Sequence, residues 1–408
     1  MSKEVNILYI SMDGMTDPLG QSQVIPYLKG LRKLNYRFTI LSFEKKDRFQ
    51  KNKDIISKIL SEADIQWEPL IYTQSLPIFS SIKDLFKGYR KALQIARDIK
   101  ADIVQARGHH LACMMAMHVK NKTAAAFLYD MRGFWPDERV DGGHWNLKNP
   151  VFKAIYTFFK KKESQFFKHS DAMITLTYAA KDYLNTHYGI GEKITVIPCA
   201  ADLEHFQPAK ESDKEVLKSR LNLNDKYIFN ISGSIGTWYL PEKMLDFFKV
   251  ATEEIPNAHL LLVTLDDSTS FLDYARSIGI SEDKITITSS SRAEMPVFYS
   301  ISDAAIFFIK AVFSKKASSP TKHGELLGCR IPVICNGGVG DMNKIMSERH
   351  TGEIMEELNE QNFREALKNL LAANYKAEDF SEVAKSYYSL ETGIKSYDKA
   401  YKICLNKL

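Results

Sequence analysis

Eleven short apolar runs, separated by segments of helical period, constrain this fold more than any other feature of the chain. In the first half they are VNILYIS (5–11), RFTILSF (37–43), DIVQAR (102–107), AAFLYD (125–130), AMITLT (172–177) and ITVIP (194–198). In the second half they are YIFNISGS (227–234), AHLLLVT (258–264), ITITSS (285–290), AAIFFI (304–309) and IPVIC (331–335). Most are continuously apolar rather than alternating, so both faces of each strand must be covered. That is the pattern of parallel strands lying between helices. Regular alternation of such strands with helices implies doubly wound α/β domains. At 408 residues the chain exceeds one ordinary core and suits two domains of about 200 residues each.

The expected organisation is a first domain over 1–205, a linker over 206–225, a second domain over 226–388 and a C-terminal helix over 389–408. The linker is read from Pro208 and the unpatterned charged run that follows it. Ile394, Tyr397, Tyr401 and Leu405 give the last helix one apolar stripe. A formal charge of +5 is too small an excess to argue for a nucleic-acid partner, and none is expected. Five scattered cysteines without CxxC spacing point to neither a disulfide framework nor a zinc site, and suit a reducing cytoplasm. The N-terminal stretch reads as a first strand rather than a secretory signal. The basic, aromatic segment 152–169 reads as a surface helix, and as the place where a peripheral membrane contact would form.

Chemistry concentrates at the expected strand ends, where open α/β sheets bind ligands. In SSPTKHGELLGCRIPVICNGGVGD (318–341), Ser319 is expected to cap a helix beginning at Pro320 and ending at Gly328. Its free amides and Lys322 would meet a phosphate, and Glu325, on the same face, would accept bonds from a ribose diol. Gly338, Val339 and Gly340 would let the backbone approach the same ligand, with Asp341 capping the next helix. A second glycine loop, MDGMTDPLGQSQ, places Gly20 before a helix that starts near Gln21. It lacks GxGxxG, and no acid is expected at the end of the second strand, which disfavours a dinucleotide. A third loop, ISGSIGTWYL, offers Ser234 and Thr237, with Trp238 and Tyr239 read as packing residues. The aperiodic loop YDMRGFWPDERVDGGHWN supplies Asp130, Arg132, Trp135 and Glu138 toward an acceptor, and RGHH supplies His109 or His110 as a base.

Four blocks in order, DPLGQSQVIPYLKGL, SDAMITLTYAAKDYL, ITVIPCAADLEHF and SSPTKHGELLGCRIPVICNGGVGD, resemble the retaining glycosyltransferases of family 4. The resemblance implies a GT-B fold, two Rossmann-like domains facing a central cleft, with the C-terminal helix returning to the first. It implies a nucleoside-diphosphate sugar as co-substrate, a glycan or lipid-linked acceptor, cell-surface polysaccharide synthesis, and neither a metal nor another cofactor. The expected donor contacts are then Gly20, Gln21, Ser234, Thr237, Arg292, Ser319, Lys322, Glu325, Gly338, Val339 and Gly340, and the expected catalytic residues Asp130, Arg132 and His110. Glu325 matches the second glutamate of the family's E-x7-E element, while the first falls on Ala317. The family's arginine position reads Ser234, and its lysine has only a loose match in Lys243. A GT-B nucleotide-sugar epimerase and a non-catalytic sugar-nucleotide-binding protein are the alternatives.

Overall fold

The computed structural model describes residues 4–73 and 77–406, with side chains beyond the backbone described from residue 80 in the second of these. The first residues of the expected first domain and the last two of the expected C-terminal helix lie outside that range. The chain forms two units, Met1–Cys199 with Leu390–Leu408, and Ala200–Ser389.

In the first unit, β1 (Val5–Ser11), β2 (Tyr36–Glu44), β3 (Gln66–Ile71), β4 (Ile103–Arg107), β5 (Ala126–Asp130), β6 (Ala172–Thr175) and β7 (Ile194–Val196) form one sheet ordered 3-2-1-4-5-6-7. Every pairing is parallel. The second unit repeats the plan with β8 (Tyr227–Ser232), β9 (Ala258–Val263), β10 (Ile285–Thr288), β11 (Ala304–Phe307), β12 (Val333–Asn336) and β13 (Gly352–Met355), ordered 10-9-8-11-12-13 and again parallel. In each sheet the order reverses beside the first strand, between β1 and β4 and between β8 and β11, and the crevice of a doubly wound sheet opens at that point.

Two strands, β3 and β13, have no counterpart among the expected runs. Both lie at sheet edges. β3 is half-exposed and carries Glu68 and Pro69, which an edge tolerates because one side of the strand needs no ladder partner. β13 opens on Gly352 at φ 148°, and a Cβ there would stand 2.0 Å from the Val333 carbonyl oxygen. The other two edges, β7 and β10, do match expected runs; in β3 and β13 the charged or special residues Glu68, Pro69, Gly352 and Glu353 interrupt the apolar pattern.

The segment 206–225, expected as a linker, belongs to the second unit. Phe206 lies in that unit's core, and Glu211–Arg220 is a helix whose Leu217 packs with Leu223, Ile228 and Phe298. The charges that made it look unstructured are the helix's outer face.

The helix Leu390–Leu405 closes the first unit. Gly393, Tyr397, Ala400, Tyr401 and Cys404 are its buried residues. The Tyr397 hydroxyl donates to Asp130 Oδ2 at 2.8 Å, and the Tyr401 hydroxyl donates to Gln105 Oε1 at 2.6 Å. Tyr397 also meets the Tyr27 ring edge-on at 5.2 Å. We expect Tyr397→Phe to lower stability by about 1–3 kcal/mol, because Asp130 would keep its burial and lose a donor. Urea unfolding checks this, and Tyr188→Phe, at an exposed ring, is the control expected to stay within about 0.5 kcal/mol.

Candidate functional site

The helix Thr321–Gly328 sits after β11, on the far side of the reversal point from β8. Its inner face is fixed by His323, Leu326 and Leu327, all buried. His323 Nδ1 lies 3.0 Å from the Tyr388 hydroxyl, and burial lowers the imidazole's pKa to about 3, so it is neutral. With that face fixed, a turn of 100° per residue places Lys322 and Glu325 together on the side away from it. The helix begins one residue later than expected: Pro320, rather than Ser319, holds the cap position. Gly328 is its last residue, as expected.

Lys322 reaches the carboxyl end of β8. A Cβ on Gly233 would lie 3.5 Å from Lys322 Nζ, and the ammonium stands 4.4 Å from the centre of the Tyr239 ring. Lys315, in the short turn Phe313–Ala317, holds its ammonium 3.6 Å from the Trp238 ring centre. Trp238 and Tyr239 therefore each present a face to a cation, an arrangement stabilised by the ring quadrupole. Both rings thus do more than pack, and Lys315, for which the sequence carries no motif, joins Lys322 beside them. Lys243, the loose lysine match, instead pairs with Asp246 along its own helix at 2.9 Å.

Around these cations the loops are self-bonded. The Ser234 hydroxyl donates to Asp266 Oδ2 at 2.7 Å, and the Ile235 amide donates to the same oxygen at 3.0 Å. Thr237, at φ 50°, occupies a backbone region rare for a β-branched residue. The turn after β12 departs from expectation. Gly337 N–H donates to the Met355 carbonyl, Gly338 N–H to Asn343 Oδ1 and Gly340 N–H to the Lys315 carbonyl. Val339 turns its side chain into the core. The turn thus supports the Lys315 backbone, and those three amides are not available to a ligand. Asp341 stands at the cap position of the next helix without a side-chain cap bond.

Glu325 is mostly buried, 3.5 Å from Arg292 Nη1 and 3.4 Å from the Tyr299 hydroxyl. Burial pushes its carboxyl above the ordinary range, against the pull of Arg292 and Lys322. Arg292 is half-exposed and lies over the Phe206 ring. Ala317 is buried in the turn that carries Lys315.

In the first unit the expected constellation separates into two places. Asp130 and Arg132 do come together, 3.5 Å apart, with Arg107 Nη1 3.8 Å from Asp130 on the other side. Asp130 is wholly buried, and its Oδ2 also accepts from Gln105 Nε2 at 3.0 Å, so that oxygen anchors the C-terminal helix, while Oδ1 faces Arg132 without a hydrogen bond. Arg132 is the less buried partner, with Nη2 3.5 Å from Cys199 Sγ. His110 lies elsewhere, fully buried among the rings of Trp135, Phe159 and Phe166. Burial holds its pKa well below the ordinary value, so the expected base is a core residue. His109 caps the helix His110–Lys120 by accepting from the Leu111 amide at 3.1 Å. Trp135 is packed against His109, Trp145 and Phe159 and begins a helix, Trp135–Asp141, within the segment expected to be aperiodic. Glu138 folds back toward Gly133.

The first glycine loop also differs. Gly20 lies inside the helix Pro18–Gln23, where a Cβ would meet the Gly14 carbonyl oxygen at 2.2 Å; the glycine serves close packing of the loop on its own helix. Gln21 Nε2 donates to the Thr16 carbonyl at 3.1 Å. β2 runs one residue beyond the expected end and finishes on a buried acid, Glu44, where none was expected. Its carboxylate accepts from the Met15 amide at 2.8 Å, the Thr16 amide at 3.2 Å, and the Thr16 and Ser42 hydroxyls at 2.5 Å each. Those bonds occupy it with the loop itself.

The chain matches the model for Glycosyltransferase Family 4 over residues 22–205 and that for Glycosyl transferases group 1 over residues 213–387. It belongs to the group 1 glycosyltransferases of GT-B fold. Among solved structures it is similar to a glycosyltransferase from Rickettsia africae ESF-5, at 16% identity and TM-score 0.71 over 99% of this chain and 100% of that one. It is also similar to sucrose-phosphate synthase from Thermosynechococcus elongatus, at 14% identity and TM-score 0.73 over 99% and 100%. A third is Anabaena HepE in complex with UDP and glucose, at 15% identity and TM-score 0.67 over 97% and 99%. No curated protein matches.

Glu44→Gln replaces an acceptor with an amide group beside the Met15 and Thr16 N–H groups. We expect a loss of about 2–3 kcal/mol in urea unfolding of this glycosyltransferase, since bonds to a buried charged group are lost. A loss below about 0.5 kcal/mol would mean the loop does not depend on Glu44.

Proposed function

We propose that this glycosyltransferase moves a sugar from a nucleoside-diphosphate donor to a glycan or lipid-linked acceptor, with retention of configuration, in cell-surface polysaccharide synthesis. The observation that carries the donor assignment is the placement of the Lys322 ammonium against the Gly233 turn, with Glu325 on the same helix face. A diphosphate would lie at Lys322 and Lys315, and a ribose at Glu325. That the Anabaena relative is solved with UDP supports this kind of donor.

As the bond from the anomeric carbon to the diphosphate oxygen breaks, negative charge grows on the leaving group. Two ammonium groups fixed on aromatic faces meet that charge without reorganising, which is how a preorganised site lowers a barrier. They occupy the role of the arginine and lysine that Ser234 and Lys243 do not fill, and the reading assigns no step to a metal. Front-face attack by the acceptor hydroxyl, with the leaving phosphate taking its proton, would retain configuration. Arg132 is the proposed acceptor-side residue, with Asp130 positioning it. The same reading places the activity in the cytoplasm, where scattered cysteines without CxxC spacing suit a reducing compartment.

In Glu325→Ala, affinity for UDP-glucose or the better-bound member of a sugar-nucleotide panel should fall about ten- to a hundredfold by calorimetry, the equivalent of one charge-assisted bond. Unchanged affinity in a folded variant would overturn the ribose assignment. Because burial raises the Glu325 pKa, the ionised acceptor is lost as pH falls through a range above that of an ordinary glutamate. Donor affinity should therefore decline on mild acidification, and Glu325→Gln should remove that dependence.

A further inference from the structure

In the first unit, the helix His110–Lys120 is flanked by two others, Pro77–Asp98 and Pro150–His169. A Cβ on Gly88 would stand 2.3 Å from Met115 Cε, and Tyr89 packs on His118 with ring centres 4.9 Å apart. On the other side His110 meets Phe159 and Phe166. The three helices form one layer over the sheet.

The flanking helices together contain ten Lys and Arg against three Asp and Glu. That excess of seven is larger than the +5 of the whole chain, so the rest of the protein is slightly acidic. Two of the three acids are also placed inward. Asp84 is buried and bonded to the Thr73 amide and hydroxyl, and Glu163 is buried against Lys160. Outward stand Lys83, Lys87, Arg90, Arg97, Lys153, Lys161 and Lys168, with Asp98 as the exposed acid.

Large apolar side chains are exposed among these cations. On the first helix Ile82 and Phe86, one turn apart, are 46% and 63% exposed. On the second Val151 and Phe158 are 58% and 48% exposed, the latter with Lys162 Nζ 5.8 Å from its ring centre. Phe166 and Phe167 of the same helix are buried, so its aromatic residues divide between core and surface.

We propose that these two helices form a docking face for an anionic phospholipid surface. Cations alone would fit any polyanion. Exposed isoleucine, valine and phenylalanine gain by leaving water for the boundary between headgroups and acyl chains, and lysines beside them are drawn to the anionic headgroups. Among the described residues no helix is long and apolar enough to cross a membrane, so this contact is superficial. The face includes part of 152–169, and the helix Pro77–Asp98, whose contribution sequence had not indicated, carries the most exposed aromatic on it.

The test is flotation of the full chain with vesicles of phosphatidylcholine, with and without roughly 30% phosphatidylglycerol. Binding should require the anionic lipid and weaken with salt. Lys83→Gln/Lys87→Gln/Arg90→Gln should weaken it at least about tenfold, and Phe86→Ser/Phe158→Ser should weaken it at unchanged charge. All five positions are exposed, and an unchanged thermal unfolding midpoint confirms folding. Equal binding to both vesicles, indifference to the triple variant, or preference for single-stranded DNA over vesicles would each overturn the proposal. Donor affinity, measured in parallel, keeps failure here distinct from failure of the transferase reading.

Discussion

The burial of His323 against Tyr388 decides which way the helix Thr321–Gly328 faces, and the arrangement at the carboxyl end of the second sheet depends on that direction. A neutral imidazole in the core, next in sequence to a lysine that must stay in water, leaves the helix one stable rotation. Glu325 follows Lys322 by one turn and shares its side. Gly324, where a Cβ would meet Tyr388 at 2.6 Å, lets the supporting helix Ala377–Tyr388 come close enough to hold it. The position of one charged pair is thus a consequence of packing on the opposite face.

The two units use buried charge differently. In the second, Lys315 and Lys322 rest on aromatic rings, which hold a cation in place while leaving its remaining N–H groups directed elsewhere. In the first, Arg107 and Arg132 flank Asp130, whose Oδ2 is committed to Gln105 and Tyr397. A carboxylate so enclosed ties the C-terminal helix to β4 and β5. Arginine Nη1 atoms on both sides lie beyond hydrogen-bond distance, so the network is electrostatic rather than bidentate.

The central strands were legible because a strand covered on both faces must be apolar throughout. Two of the four edges, β3 and β13, were not, because Glu68 and Pro69 in one and Gly352 and Glu353 in the other break the apolar run. Lys322 and Glu325 were legible because helical spacing alone puts them on one face. Lys315 was not: what singles it out from Lys316 beside it is a tryptophan 77 positions earlier, and only the sheet brings the two together. Glu44 was missed because the apolar run ends at Phe43, although the ladder continues one residue further. His110 misled because strand-end position and chemistry were visible in sequence, while the three rings enclosing it come from distant segments.

The central claim is that Lys322 and its neighbours take the diphosphate of a donor. Thermal unfolding of the full chain with UDP, GDP, ADP and their monophosphates measures it most directly, because a ligand bound only to the folded state raises the midpoint. The account predicts that one nucleoside diphosphate raises the midpoint more than its monophosphate, and that Lys322→Ala removes most of the difference. A monophosphate that stabilises as much as the diphosphate, or a difference that survives in Lys322→Ala, would contradict it.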